Sequence, residues 1–512
     1  MRVLKPDDVY ALDINARYLG IDTRLLMENA GKSVADVIRR RFPDKKRIVV
    51  IAGLGNNGGD GFVAARHLAS YGYEVIVILL GRVAYIKSTI ARENAEVLKR
   101  MRLSIKLFEA KDSTELTNIK QYLEEADIII DAILGVGLRG SVKGLFAETI
   151  NLINSVKQRK GVHVISIDVP SGLDCYSGRV QGPVIKPDIT VTFHGIKKGL
   201  SEEVGGEIIV TNIGIPPEAE EFVGPGDVLR IKKLIRREDW AHKGDFGRIL
   251  VIGGSEDFSG APALAGLAAL RAGADVVVIA APSSVADIIR GFSPNLIVKK
   301  LKGSFLNHEN VRILKDPEFI SRFDTILIGP GIGVKEEVLS ISNELIRYFS
   351  ENKRSLVIDA DALKGLSIKN IPKTGNIILT PHDGEFYKIF KIKCPKTLKE
   401  RGEIVKKKAK ETATTIVLKG HIDVISDGEQ VKYNTTGNPG MTVGGTGDVL
   451  AGIIAAFYAI SENAFNAAIA GAFISGLAGD FAYKEKGYEL LATDVIEKIP
   501  EAISYTRRFL ES

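Results

Sequence analysis

Cysteine is scarce in this sequence: Cys175 and Cys394 are the only two, far apart and outside any metal-ligand spacing. That scarcity argues against a disulfide framework and a thiolate zinc site, and a reducing, cytoplasmic setting is expected. Long apolar runs are missing as well. The longest, 75–80 and 453–460, fall far short of the roughly 20 residues a membrane helix requires, so no span is expected. The first ten residues carry Lys5, Asp7 and Asp8 without an apolar centre, unlike a secretory signal. No charge of one sign dominates, because 69 Lys and Arg against 63 Asp and Glu leave a formal +6 over 512 residues. Such dilution argues against nucleic acid or an anionic membrane as partner. The cluster Lys406, Lys407, Lys408 and Lys410 reads as a solvated helix face.

What is present is a globular composition, 45% apolar and 26% charged, in a chain too long for one core. Segment 7–42 has a helical pattern, with Thr23 as the expected cap of its second helix. Short β-branched runs follow at 48–52, 75–80, 128–134, 162–169, 189–193 and 208–213, separated by helix-length segments such as 62–71 and 88–101. Continuous apolar strands alternating with helices predict a mostly parallel sheet covered on both faces. Breakers concentrate at 214–217 and 224–226, which places a domain boundary near 222. The alternation then restarts at 249–253, 275–280, 325–328, 355–358, 376–379 and 415–418, with helices dominating from 447. The fold class expected is α/β with two doubly wound domains, 1–222 and 223–512.

Three strands of the first half end in polar loops. After 48–52 comes a glycine-rich stretch holding Asn56, Asn57, Gly58, Gly59 and Asp60, with a helix expected from about 62. Glycines let backbone amides approach a phosphate or ribose, and a helix amino terminus favours an anion. A tight turn that binds nothing would account for the glycines, but not for two amides and a carboxylate in one loop. Asp131 precedes Gly135, Val136, Gly137, Leu138, Arg139 and Gly140, and Asp168 precedes Pro170, Ser171 and Gly172. Either aspartate alone reads as a cap or loop hydrogen bond, yet three such loops at strand carboxyl ends can line one crevice.

These loops resemble the amino-terminal, epimerase domain of the NAD(P)H-hydrate repair family, over about residues 1–220. The resemblance implies a Rossmann-like three-layer domain in which Asn56–Asp60 and Gly135–Gly140 hold the hydrated nicotinamide nucleotide. It also implies that Asn57, Asp131 and Ser171 give oxygen ligands to a potassium ion, and that Asp168 is the acid/base against the substrate. Arg139 stands where many eukaryotic members have lysine. Arginine stays protonated, so a proton-transfer role does not carry over to this position.

Near the carboxyl end, Asn438-Pro439-Gly440 leads to Gly445-Thr446-Gly447-Asp448 and an apolar helix. Backbone amides at a helix start suit phosphoryl oxygens, and Asp448 is placed to accept a proton from an attacking hydroxyl. The glycine spacing is neither the dinucleotide fingerprint nor a Walker loop, and a bare capping turn is the plain alternative. Other loops join it at strand ends: 329–333, 359–363, 380–385 and 418–420. His382 by itself would carry little weight; in this company it reads as a substrate contact.

This constellation resembles the ribokinase-like superfamily, and more closely the ADP- or ATP-dependent NAD(P)H-hydrate dehydratase domain, over about 226–512. The closer match rests on 242–247, 259–264 and 438–452; Pro-Gly is usual where this chain has Asp383-Gly384. The resemblance implies that the ring hydroxyl is phosphorylated and then lost as phosphate, with Asp448 as base. Gly445, Thr446 and Gly447 would receive the phosphate, and Lys419, Gly420 and His421 the adenylate. Ala261, Pro262, Gly331 and His382 would contact the substrate, and magnesium would accompany the nucleotide. The partners implied are therefore the hydrates NADHX and NADPHX with ADP or ATP, and a homo-oligomer is expected. Two other readings compete. One is a small-molecule kinase with an unrelated first domain, against which His242-Lys243-Gly244 and Asn438-Pro439-Gly440 weigh. The other treats the first domain as a scaffold, against which the intact Asn57, Asp131, Asp168 and Ser171 weigh.

Overall fold

The structure is a computed structural model that describes residues 3–510. The chain divides into two compact units, the first ending at Pro216 and the second starting at Pro217. The break lies ahead of 222 because Phe222 bridges to Tyr433, and Val223 N donates to Tyr433 O at 2.9 Å. Those bonds draw the short helix Pro217–Glu221 into the second unit.

The first unit opens with helices α1 (Pro6–Tyr18) and α2 (Thr23–Arg41). Asp22, not Thr23, caps α2, its carboxylate accepting from Arg24 N at 2.8 Å. Seven strands make up the main sheet: β1 (Arg47–Ala52), β2 (Glu74–Leu80), β3 (Ile105–Ala110), β4 (Ile128–Ala132), β5 (His163–Ile167), β6 (Ile189–Phe193) and β7 (Glu207–Thr211). They form one parallel sheet in the order β7-β6-β5-β4-β1-β2-β3. The central β1, β4 and β5 are buried along nearly their whole length, which is why they read as unbroken apolar runs. The edge strand β3 does not, since Lys106 and Glu109 interrupt it.

Helix α3 (Asn56–Ser70) starts at Asn56, not near 62, so Asn56 to Asp60 form its first turns. The start is forced by close packing onto the end of β1. A Cβ on Gly58 would lie 2.1 Å from Gly53 O, and one on Gly61 2.6 Å from Ala132 Cβ.

In the second unit the strands are β8 (Arg248–Ile252), β9 (Val276–Pro282), β10 (Ile297–Leu301), β11 (Thr325–Ile328), β12 (Ser355–Ile358), β13 (Ile377–Leu379), β14 (Thr415–Leu418), β15 (Asp423–Ser426) and β16 (Val431–Asn434). The sheet order is β10-β9-β8-β11-β12-β13-β14-β15-β16, parallel up to β14 and antiparallel after it. The helices that matter for its site are α4 (Gly260–Arg271), α5 (Asp383–Phe390), α6 (Thr446–Ser461), α7 (Ala464–Lys486) and α8 (Ala492–Arg507). By length and composition the stretch Ala464–Glu489 could cross a membrane, but 78% of its apolar window is buried in the protein. It packs between α6 and α8 as a core helix.

Candidate functional site

Strands β4 and β5 deliver two carboxylates to the same end of the first sheet. Asp131 is fully buried and accepts from Ser166 Oγ (2.7 Å), Ser171 N (2.9 Å), Ile133 N (3.3 Å) and the Ser171 hydroxyl. Burial pushes its carboxyl above the ordinary value, while the bonds from Ser171, Ser166 and Ile133 act the other way. Ser171 Oγ also accepts from Leu134 N at 2.8 Å, which ties the loop after β4 to the loop after β5. Asn57, in the first turn of α3, is buried with no hydrogen-bond partner for its Nδ2. Gly135 sits against it, since a Cβ there would lie 3.3 Å from Asn57 Cβ. A carboxylate, a hydroxyl and an amide are all-oxygen donors of the kind a hard cation such as potassium takes, and the orphaned amide is free to turn its oxygen inward. Among the described residues no group of three or more His, Cys, Asp or Glu is placed to hold a metal ion.

Asp168 stands just past β5 with φ of 65°, a left-handed conformation seldom taken by a non-glycine residue and one found at functional sites. Its carboxylate accepts from Phe193 N (3.2 Å) and Thr192 Oγ1 (3.3 Å) and forms an ion pair with Lys197. Lys197 is 1% exposed and also donates to Phe193 O at 2.6 Å. Two further carboxyls belong to this cluster. Burial and then Asp168 raise Asp13, on α1, to about 6. Burial, Asp168 and Asp13 hold Asp60 well above its usual range. Neither Lys197 nor Asp13 stood out in the sequence. Lys197 follows no glycine-rich motif, and the only signal for Asp13 was a carboxylate between the buried Leu12 and Ile14. Of the loop after β4, Arg139 is exposed with its guanidinium 4.0 Å from the Tyr176 ring centre, and Gly140 N donates to Asp174 Oδ2 at 3.1 Å.

The second site is built on α6 and the ends of β11 to β14. Gly445, the N-cap of α6, has φ of 97°, and a Cβ there would lie 2.6 Å from Leu264 Cδ1, so only glycine fits this turn. The first amides of a helix lack intrahelical partners and point outward as donors. Thr446 Oγ1 donates to Met441 O at 2.8 Å, which pins the turn. Asp448 lies half-buried in the first turn of α6. Burial, with Asp359 and Asp361 adding and Lys419 opposing, pushes its carboxyl up to about 7.

Asp359 and Lys419, at the ends of β12 and β14, meet directly. Lys419 Nζ lies 2.8 Å from Asp359 Oδ1, which also accepts from Thr380 Oγ1 at 2.7 Å. Burial alone would lower the Lys419 ammonium, but Asp359, Glu385 and Asp448 outweigh it and raise it. A Cβ on Gly447 would lie 3.5 Å from Lys419 Nζ, so the ammonium reaches the turn that carries Asp448. His382 caps α5, its Nδ1 accepting from Gly384 N (2.9 Å) and Glu385 N (3.3 Å), while its side chain stays 58% exposed. Asp383, the departure from Pro-Gly, forms a bidentate ion pair with Arg401. Gly331 has φ of 65°, and a Cβ on it would lie 3.5 Å from Ala261 Cβ, at the start of α4. Pro262 packs beside Gly253. Gly420 and His421 lie on the exposed outer part of their loop, where Gly420 N donates to Asp423 Oδ1 at 3.0 Å. Asp359, Asp361 and Glu385 were legible only as members of strand-end loops; their shared field around Asp448 and Lys419 was not.

Comparison with known proteins agrees with this division. Residues 23–199 match the family described as YjeF-related protein N-terminus, and residues 249–501 match the NAD(P)H-hydrate dehydratase family. The Bifunctional NAD(P)H-hydrate repair enzyme Nnr of Pyrobaculum aerophilum is 43% identical over 97% of this chain and 97% of its own. That of Methanothermobacter thermautotrophicus is 41% identical over 98% of this chain and 95% of its own. A solved ADP/ATP-dependent NAD(P)H-hydrate dehydratase from Bacillus subtilis, co-crystallized with ATP/Mg2+, is 27% identical and covers 56% of this chain and 98% of that one, with a TM-score of 0.47. With relatives matched along nearly the full length and both family regions present in one chain, this protein belongs to the family of bifunctional NAD(P)H-hydrate repair enzymes.

Proposed function

We propose that the two units act in series on hydrated NADH or NADPH. The first, assigned to about 1–222, interconverts the R and S hydrates; the second, about 223–512, dehydrates the S hydrate at the expense of ADP or ATP. The observation that carries this reading is Asp448, a carboxyl pushed up to about 7 in the first turn of a glycine-started helix. A group titrating near neutrality both accepts and gives up a proton readily.

In the second unit the ring hydroxyl loses its proton to Asp448 as its oxygen takes the phosphoryl group, which the amides of Gly445, Thr446 and Gly447 cradle. Phosphate then leaves with the ring's former oxygen and its bonding electron pair, the neighbouring ring carbon gives up a proton to solvent, and that C–H electron pair restores the ring double bond. Gly331, Ala261, Pro262 and His382 form the substrate side. Lys419, Gly420 and His421 supply the loop that takes the adenylate, and magnesium, when bound with the nucleotide, would offset its phosphate charge. In the first unit Asn56 to Asp60 and Gly135 to Gly140 hold the nucleotide. Asp168 is the acid/base for inverting the carbon that bears the hydroxyl. Asn57, Asp131 and Ser171 would hold potassium, which when bound supplies positive charge beside that pocket. Serial action explains the fusion, since hydration yields two epimers and the dehydratase consumes one. A homo-oligomer and a cytoplasmic setting belong to the same proposal, the latter supported by two unpaired cysteines.

The test incubates purified protein with mixed hydrates and either nucleotide and follows the near-ultraviolet absorbance of the reduced ring. Complete recovery of both epimers with at least one nucleotide is expected. No recovery with either nucleotide would overturn the reading.

A further inference from the structure

We propose that Lys419 is a catalytic residue of phosphoryl transfer, its ammonium contacting the transferring phosphoryl oxygens beside Asp448, and that Asp359 positions it. The proposal rests on the dehydratase reading of this site and extends it, because an adenylate loop needs only the backbone of 419–421.

The backbone and the side chain of Lys419 face different ways. Its backbone is fixed by a bond from its own N to Pro381 O (2.8 Å) and by a parallel bridge to His382. Residues 420 and 421 continue outward and are exposed. The side chain instead turns in, with Nζ 2.8 Å from Asp359 Oδ1 and 3.5 Å from where a Cβ on Gly447 would stand. Gly447 is the third residue of the turn proposed to cradle phosphate, so an ammonium against it lies over the place where phosphoryl charge develops.

The surrounding charge makes this cation necessary. Asp359, Asp448 and Glu385 all bear on Lys419, and Asp361 bears on Asp448. Asp361 has its own partner, Lys364, at 2.7 Å. An anionic nucleotide entering among these carboxyls meets Lys419 as the ammonium turned toward the cradle. Asp359 fixes its direction, and Thr380 Oγ1, donating to the same carboxylate oxygen, fixes Asp359.

In the step itself the substrate oxygen bonds to the terminal phosphorus while the bond from that phosphorus to the nucleotide's bridging oxygen breaks. The hydroxyl proton goes to Asp448, and the nucleotide leaves with the electron pair. Lys419 keeps its proton throughout and offsets charge on the equatorial oxygens. Such preorganised charge is worth about 10²–10³ in rate when removed.

The experiment measures nucleotide-dependent recovery of the S hydrate by the full chain carrying Lys419→Met, Lys419→Arg or Lys419→Met with Asp359→Asn. Epimerisation by the first unit and thermal unfolding are followed as controls. A phosphoryl contact predicts that K419M lowers kcat by about 10²–10³ with the nucleotide KM held within about threefold. The double variant, with the buried ion pair removed as a whole, should be as slow as K419M. Lys419→Arg keeps the charge and so the fold, but its planar fork cannot replace a point charge, and kcat should fall at least about tenfold.

A raised nucleotide KM at preserved kcat would make Lys419 an adenylate contact and overturn the proposal. Recovery of wild-type kcat in the double variant would reduce the pair to a structural one and overturn it too. If K419M fails to fold, the arginine variant decides, and wild-type kcat there overturns the proposal. Wild-type protein inactive with both nucleotides would sink the functional reading and this inference together, an outcome distinct from any of the variant results.

Discussion

In the first unit Asp131 is fully buried and accepts from Ser166, from both the amide and the hydroxyl of Ser171, and from Ile133; in the second, Asp448 is half-buried and accepts no hydrogen bond among the described residues. Burial raises both carboxyls, but only around Asp131 do donors oppose it. A carboxylate ringed by donors is held in place, and its role is to hold something else. One left without donors next to a glycine turn is available to take a proton. Asp168 departs from this contrast: proposed as the acid/base, it is nonetheless paired with Lys197, while burial and neighbouring carboxyls push Asp60 up.

The sharpest break of the comparison is Asp448→Asn. Recovery of the reduced ring should fall by about 10²–10⁴, as for loss of a catalytic base, with folding and epimerisation unchanged. Turnover close to wild type would assign the proton to another group. Next in size is Asp168→Asn. It should abolish accelerated use of the R hydrate and spare the S hydrate, and it leaves the Lys197 ammonium buried without its ion pair. Removing one partner of a buried pair costs about 3 kcal/mol, read as a lower unfolding midpoint. Equal loss on both epimers would make Asp168 structural, and an unchanged midpoint would show that water reaches Lys197.

How far these sites were legible follows from the same physics. Strands buried on both faces, such as Ile128–Ala132, announce themselves as apolar runs, and the loops at their ends carry the polar residues in order. Edge and hairpin strands such as Ile105–Ala110 and Val431–Asn434 mix lysine and glutamate or asparagine with apolar residues; the first has no clean alternation, and the second alternates over only four residues, too few to announce a strand. The sequence pattern puts the start of α3 too late because glycines and asparagines usually disfavour helix. Here Gly58 and Gly61 are demanded by backbone and side chains packed within 3 Å, a tertiary constraint that propensity does not contain. Lys197 and Lys419 show the further limit. Sequence names a lysine, but only the fold decides that one faces Asp168 and the other Asp359.

A smaller effect separates the two units by pH. Asp448 acts as a base only when ionised, and its carboxyl sits up at about 7. Below that pH the kcat/KM of dehydration should fall about tenfold per unit, and above it the rate should level off. Epimerisation does not pass through Asp448 and should keep a different profile. Identical acid limbs for the two reactions would mean that one shared step, not Asp448, limits both.

The smallest expected change tests the departure from Pro-Gly at the start of α5. Asp383 is the first residue of that helix, its amide makes none of the bonds that orient His382, and the backbone of His382 is extended with ψ of 172°. An extended residue before proline and a first-turn position are what proline tolerates. Asp383→Pro therefore loses a hydrogen bond with Cys394 and the ion pair with Arg401, 57% exposed on its Asp383 side but 15% on its Arg401 side, a pair worth about 1 kcal/mol. It gains about 0.4–1 kcal/mol from a stiffer unfolded chain. The two nearly cancel at low salt, and salt weakens only the ion pair, so the variant should become relatively more stable as salt rises. Urea unfolding at two salt concentrations reads this directly, with dehydration rate as the check that His382 has not moved. A loss above about 2 kcal/mol, or a fall in rate, would mean that the ion pair holds the loop and the lone histidine owes its position to Arg401.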